Sequence, residues 1–194
     1  MRMAPSGLVI LDRDGVINQD AADFIRSADA WRPLPGAPEA IARLHAAGWW
    51  IAVATNQSGI ARGLFDARAL AAIHDRMEQV IRQAGGRIDH VAFCPHGPAD
   101  GCGCRKPAPG LIHDIEAALG MDARGAPFVG DALRDLRAAR AAGCQPVLVR
   151  TGRGRQTERE LDDEAAQGVM VFDDLAAFAE YWLQRGDDAG ETGG

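Results

Sequence analysis

Short apolar runs alternate along this chain with longer segments whose apolar positions recur at helical spacing. The runs Gly7–Leu11, Trp49–Ala54, His90–Phe93, Pro127–Val129, Pro146–Val149 and Val169–Phe172 read as buried strands. Between them, Ala37–Ala47 puts Ile41 and Leu44 on one helical face. Asp66 suits the N-cap of a long helix that stops near Gly85-Gly86. Leu111–Leu119 is closed by Gly120, Leu133–Ala142 by Gly143, and Leu175–Leu183 makes a last helix. Strands alternating with helices predict an α/β domain on a mostly parallel sheet, with ligands bound beyond the carboxyl ends of the strands. Thr151–Gln167 reads as a charged connection, part helix and part loop. Residues 1–185 read as one domain, and 186–194 as a polar, disordered tail.

Composition narrows the partners. Hydrophobic residues make up 47% and charged residues 25% of 194, the profile of a soluble globular protein. The formal net charge is -6 and no Lys/Arg block occurs, so neither nucleic acid nor an anionic membrane is an expected partner. An anionic substrate needs a local positive pocket. The apolar stretches, such as Leu8–Leu11 and Trp49–Ala54, are too short to span a bilayer, and the first strand begins too early for a signal peptide. A cytoplasmic monomer is the expectation.

The polar residues cluster at strand ends. Asp12-Arg13-Asp14-Gly15 follows the first strand directly. One carboxylate of such a pair can attack phosphorus while the other moves a proton, although Asp and Gly also make ordinary solvated turns. Gly130-Asp131 follows the fourth strand. With Asp12 it offers paired carboxylates to a hard cation such as Mg2+. Asp135, one helical turn on, is placed to orient a metal-bound water or a basic neighbour. Thr55-Asn56-Gln57-Ser58-Gly59 ends the second strand with hydroxyl, amide and backbone donors suited to phosphate, and Arg105-Lys106-Pro107 supplies two cations before a helix.

Cys94, His96, Cys102 and Cys104 crowd one loop. Three thiolates and an imidazole form a closed tetrahedral set for a structural Zn2+; buried or redox-active thiols are the alternative. Cys144 reads as a packed core thiol, Trp49 and Trp50 as core, His45, His74 and His113 as surface or structural, and Arg150 and Arg153 as solvated loop residues.

Leu11–Val16, Ala54–Ser58, Lys106-Pro107 and Val129–Asp131 together resemble the four motifs of the haloacid dehalogenase-like phosphatases, over roughly residues 7–183. Thr55–Gly63 and the run from Cys94-Pro95-His96 to Cys102–Pro107 are similar to the D-glycero-D-manno-heptose 1,7-bisphosphate phosphatases, with the histidinol-phosphate phosphatases sharing much of the pattern. The resemblance implies a Rossmann-like three-layer sandwich without a large cap domain, braced by the 94–104 loop. It implies Asp12 as nucleophile and Mg2+ ligand. Asp14 becomes general acid/base and carbonyl ligand, and Asp131 the remaining Mg2+ ligand. Thr55 and Lys106 hold the transferring phosphate, and Asp20, Asn56, Gln57, Ser58 and Arg105 grip the rest of a sugar phosphate.

Overall fold

The computed structural model describes residues 7–21 and 23–188. Six strands form one sheet in the order β3-β2-β1-β4-β5-β6: β1 Gly7–Leu11, β2 Trp49–Asn56, β3 His90–Cys94, β4 Pro127–Gly130, β5 Gln145–Val149 and β6 Met170–Phe172. Every neighbouring pair is parallel, so the sheet is more uniform than the mostly parallel one expected.

Side chains alternate across the sheet, as strand geometry requires. Val9 and Leu11 of β1, with Ile51 and Val53 of β2, face one apolar layer; Leu8, Ile10, Ala52 and Ala54 face the other. The first layer is completed by α1 (Ala37–Ala46), α2 (Ala67–Gln83) and α7 (Leu175–Asp188), the second by α3 (Gly110–Leu119) and α4 (Leu133–Ala141). Burial on both faces explains why the strands read as unbroken apolar runs. Trp49 and Trp50 divide between the layers, Trp49 meeting Trp182 edge-on at 6.0 Å. Cys144 is buried, and its thiol donates to the Ala123 carbonyl at 3.2 Å.

The helix boundaries follow local chemistry. The Asp66 carboxylate accepts from Ala69 N at 2.8 Å and caps α2, and Gly120 takes the left-handed conformation after α3. The 151–167 connection holds two short helices, α5 (Gly154–Glu160) and α6 (Asp163–Ala166). Helix α7 runs to Asp188, three residues into the stretch read as a tail; the rest of that tail lies outside the described residues.

The topology decides where the site sits. From β1 the chain moves outward through β2 and β3, then returns to the other side of β1 for β4, β5 and β6. The carboxyl ends of β1 and β4 are therefore neighbours at the switch point, where loops diverge and leave a crevice.

Candidate active site

Asp12 stands at that crevice, one residue past β1, with its N–H donated to the Val129 carbonyl of β4 at 2.8 Å. The turn behind it is fixed by the Arg13 carbonyl, which accepts from the N–H groups of Val16, Ile17 and Asn18. Asp12 Oδ1 accepts from Arg13 N at 2.7 Å and pairs with Lys106 Nζ at 2.9 Å. Oδ2 carries no hydrogen bond among the described residues. Burial and the neighbouring Asp135 push the Asp12 carboxyl up to about 6, against the pull of Lys106 and Arg134. It is therefore mostly ionised at neutral pH.

Asp131 reaches the same space from β4. Its Oδ2 accepts from Arg153 N at 2.8 Å, while Oδ1 is buried with no partner among the described residues. Glycines make room for it: a Cβ on Gly15 or Gly152 would lie 2.0 or 2.2 Å from Asp131 Oδ2, and both residues have positive φ. Oxygens of Asp12, Asp131 and Asp135 lie within 4.8 Å of one another. Burial and those two neighbours push the Asp131 carboxyl up to about 8. Three converging buried carboxylates with an orphaned oxygen fit a hard divalent cation.

Lys106 counters this charge from the other side. Its fully buried ammonium contacts Asp12 Oδ1 at 2.9 Å, Asp135 Oδ1 at 2.7 Å and the Ala54 carbonyl at 2.8 Å. The two carboxylates pair with its charge, and the carbonyl accepts one of its protons. Burial alone would lower its pKa, but Asp12 and Asp135 outweigh that and raise it. Asp135 thus holds a basic neighbour, one of the two roles its spacing suggested. Its other oxygen accepts from Ala132 N at 3.0 Å, which fixes the start of α4.

The end of β2 supplies the rest of the frame. The Asn56 amide spans the backbone of Lys106, donating to its carbonyl and accepting from its N–H, both at 3.1 Å. Gln57 donates to Thr55 Oγ1 at 2.9 Å and to Asp14 Oδ2 at 3.0 Å. Thr55, Gln57 and Ser58 are all buried. Asp14 also accepts from Asn18 Nδ2 at 2.9 Å and from Arg13 Nη2 at 2.9 and 3.0 Å. Burial favours its neutral form, but the Arg13 charge and these hydrogen bonds outweigh it and hold the carboxyl below its usual range.

Above these groups opens a polar cavity of about 230 Å3, lined by Asp14, Asp20, Phe24, Ser58 and the four arginines Arg62, Arg105, Arg134 and Arg153. Wider depressions exist, including one of about 700 Å3 beside Trp31 and Arg76, but no carboxylates converge on it. Arg153 is a solvated loop residue, its side chain 58% exposed, and its guanidinium also borders the cavity, 3.3 Å from Asp20, while its N–H meets Asp131. Arg150 instead pairs with Glu158 and Asp173. Arg134 has no ion pair within 4 Å among the described residues, and its buried Nε is unpartnered. Sequence reasoning missed Arg62 and Arg134. Arg62 lies within the Thr55–Gly63 run, and Arg134 one residue before Asp135, so their positions in those motifs were the available signal.

His74 is structural and deeply placed. It lies on the buried stripe of α2 with Leu70, Ile73 and Met77, and its Nε2 accepts from Arg13 Nη1 at 3.3 Å. Burial first, and Arg13 second, lower its pKa from 6.5 to about 4. The unfolded chain then binds a proton more readily than the native one. Stability from this residue is present above pH 6.5 and lost as pH falls towards 4, by on the order of 3 kcal/mol. His74→Leu is therefore expected to gain Tm relative to wild type as pH falls across that window in buffered melts. An unchanged slope would count against the assignment.

The cysteine loop closes on itself beside Lys106. Cys94 Sγ lies 3.1 Å from Cys104 Sγ and 3.7 Å from Cys102 Sγ; His96 Nδ1 lies 3.3 Å from Cys104 Sγ and 3.6 Å from Cys94 Sγ. Bond lengths of about 2.3 Å to sulfur and 2.0 Å to nitrogen place tetrahedral ligands roughly 3.5–3.8 Å apart, so the Cys94, His96 and Cys102 spacings suit a zinc ion and Cys104 stands a few tenths of an ångström too close, the whole set lying within 4.8 Å. All four cysteines of the chain are free thiols.

Comparison with known proteins bears on these observations. A family model described as HAD-hydrolase-like matches residues 103–178. The D-glycero-beta-D-manno-heptose-1,7-bisphosphate 7-phosphatase of Pseudomonas aeruginosa is 53% identical over 91% of this chain and 98% of its own length. The D-glycero-D-manno-heptose-1,7-bisphosphate 7-phosphatase of Thermosynechococcus vestitus is 35% identical over 91% and 95%. The crystal structure of the D,D-heptose 1,7-bisphosphate phosphatase of B. bronchiseptica, complexed with magnesium and phosphate, superposes with a TM-score of 0.87 at 54% identity, covering 92% of this chain and 98% of that one. Likeness of this extent, joined to carboxylates meeting at the switch point, leaves one assignment: the chain belongs to the D-glycero-D-manno-heptose 1,7-bisphosphate 7-phosphatase family of haloacid dehalogenase-like hydrolases.

Proposed function

We propose that this protein removes the 7-phosphate of D-glycero-D-manno-heptose 1,7-bisphosphate through an aspartyl-phosphate on Asp12. The observation that carries this reading is the convergence of Asp12, Asp131 and Asp135, with Lys106 paired to Asp12, beside a cavity lined by Asp14 and four arginines. Asp12 Oδ2 attacks phosphorus, and the bond to the sugar oxygen breaks as Asp14, which takes up a proton from solvent when the phosphate dianion binds, passes that proton to the leaving oxygen. Asp14 then takes a proton from water as that water's oxygen attacks phosphorus, and the Asp12 carboxylate is released. Thr55 would hold the transferring phosphate, and Ser58 the rest of the substrate. Lys106 offsets the charge of the nucleophile. Asp12, the Asp14 carbonyl and Asp131 would hold Mg2+, which when bound screens the repulsion between carboxylate and phosphate. Asn56 and Gln57 act through what they hold: Asn56 fixes Lys106, and Gln57 fixes Asp14 and Thr55.

Arg62, Arg105, Arg134 and Arg153 make the cavity fit a substrate with a second anionic group, with Asp20 accepting from sugar hydroxyls. This favours a bisphosphate over histidinol phosphate, whose far end is cationic. It also argues against a non-catalytic zinc-braced binding module, which has no need of an ionised nucleophile. The relatives named for the beta anomer lead us to assign that anomer here. The reaction then belongs to the supply of ADP-heptose for lipopolysaccharide core synthesis, carried out by a single cytoplasmic domain acting as a monomer. Among the described residues no helix is long and apolar enough to cross a membrane.

Steady-state kinetics on both heptose bisphosphate anomers, heptose 7-phosphate and histidinol phosphate test the reading. The beta bisphosphate is expected to lead, and to exceed the 7-monophosphate in kcat/KM by roughly 10- to 100-fold, the worth of one or two charge-assisted hydrogen bonds. A preference for histidinol phosphate would overturn it.

We assign Cys94, His96, Cys102 and Cys104 to a structural Zn2+, since Arg105 and Lys106 follow the last ligand directly. Removing zinc with a chelator is expected to lower Tm and kcat together, while adding Mg2+ restores neither. Activity in a zinc-loaded, Mg2+-free sample would favour a zinc hydrolase instead.

A further inference from the structure

Arg13 is a fully buried arginine. Sequestering a guanidinium is costly, and an apolar side chain would fill the same slot more cheaply. Among the described residues its side chain reaches only Asp14 and His74. Nε and Nη2 fork onto the Asp14 carboxylate at 2.9 to 3.1 Å, and Nη1 rests on His74 Nε2 at 3.3 Å. His74 is braced in turn by the ring of Phe93, edge-on at 6.0 Å. Asn18 and Gln57 bind the remaining sides of the carboxylate, which keeps 24% of its surface open, towards the cavity.

We infer that Arg13, supported from behind by His74, is the positioning residue that keeps Asp14 aimed at the attacking water. The inference rests on the reading of Asp14 as the proton-transfer group. The four donors all favour a carboxylate in one orientation, the form and aim that water activation needs. Hydrolysis of the aspartyl-phosphate depends on them most. In that step water loses a proton to Asp14, its oxygen bonds to phosphorus, and the bond from phosphorus to the Asp12 oxygen breaks. Formation of the aspartyl-phosphate from an aryl phosphate depends on them least, because a phenolate leaves without an acid.

The test uses p-nitrophenyl phosphate with the Mg2+- and Zn2+-loaded enzyme, following kcat, KM and the fraction of enzyme carrying a phosphoryl group after rapid acid quench and mass measurement. His74→Leu and Arg13→Met are expected to lower kcat roughly tenfold or more and KM with it, leaving kcat/KM little changed, while the phosphorylated fraction rises. His74→Gln, whose carbonyl oxygen can still accept from Arg13, is expected to recover most of the rate. If Arg13→Met does not fold, the His74 pair decides. A fall in kcat without phosphoenzyme accumulation, or no recovery in His74→Gln, would reduce Arg13 and His74 to structural roles and overturn the inference. Asp14→Asn separates the two levels. It must itself accumulate phosphoenzyme; if it does not, the reading of Asp14 fails first.

Discussion

Asp12→Asn is expected to cut kcat by on the order of 10^4 or more while making the metal-free protein more stable. Both effects come from the same crowding. An amide cannot attack phosphorus, so the covalent route closes. The amide oxygen can still accept from Arg13 N and Lys106, the two contacts that Asp12 Oδ1 makes. What disappears is a charge held against burial and Asp135, a cost reflected in the rise of the Asp12 carboxyl from 3.8 to about 6, or about 3 kcal/mol. The sign follows from the raised value. In the native protein Asp12 and Asp131 hold protons that the unfolded chain has lost, so what these two groups contribute to metal-free stability falls as pH rises from about 4 towards 8, the opposite sign to His74. Thermal melts of wild type and Asp12→Asn, with and without Mg2+, check this. Mg2+ is expected to raise Tm strongly in the wild type and weakly in the variant. Turnover within tenfold of wild type would end the covalent scheme, and a lower metal-free Tm would show that the carboxylates are not in mutual conflict.

Lys106→Met is the second large effect, and its sign on stability is opposite. The ammonium is almost fully buried between Asp12 and Asp135 and has no solvent to replace it. Methionine fills the stem but takes the contacting counter-charge from two buried carboxylates and leaves them only the more distant Arg134, at a cost on the order of 3–5 kcal/mol, or a Tm drop of roughly 10 °C in a domain of this size. The loss of a positive group beside the developing charge is expected to lower kcat by about 10^2- to 10^3-fold. Adding Asp135→Asn separates the two: the Lys106→Met/Asp135→Asn variant should regain much of the lost Tm and none of the lost rate. Equal damage in the single and double variants would mean that the ion pair is not what Lys106 contributes to stability.

The cavity's arginines show where reading the sequence reached its limit. Arg105 was legible because it adjoins Lys106 in a motif. Arg153 was set aside as a loop residue, since nothing local says that α5 folds back so that its N–H meets Asp131. Arg13 sat in plain view between two acidic residues. Its burial, and its dependence on His74 from a helix 61 positions away, could not be read there. Gln57 lines the cavity, and the fold also turns its amide onto Thr55 and Asp14, a positioning contact its motif did not suggest.

By itself, the sequence determined the alternation of strand and helix, the capped start of α2, the acidic groups at two strand ends and the thiol-rich loop. Each of these follows from short-range chemistry, apolar periodicity, cap residues and ligand spacing within a few residues. Only the tertiary structure decided which strand ends are neighbours, and so that Asp12 and Asp131 share one space and Lys106 stands between Asp12 and Asp135. Strand order and the burial of charge arise from packing between residues distant in the chain, and no local pattern encodes that packing.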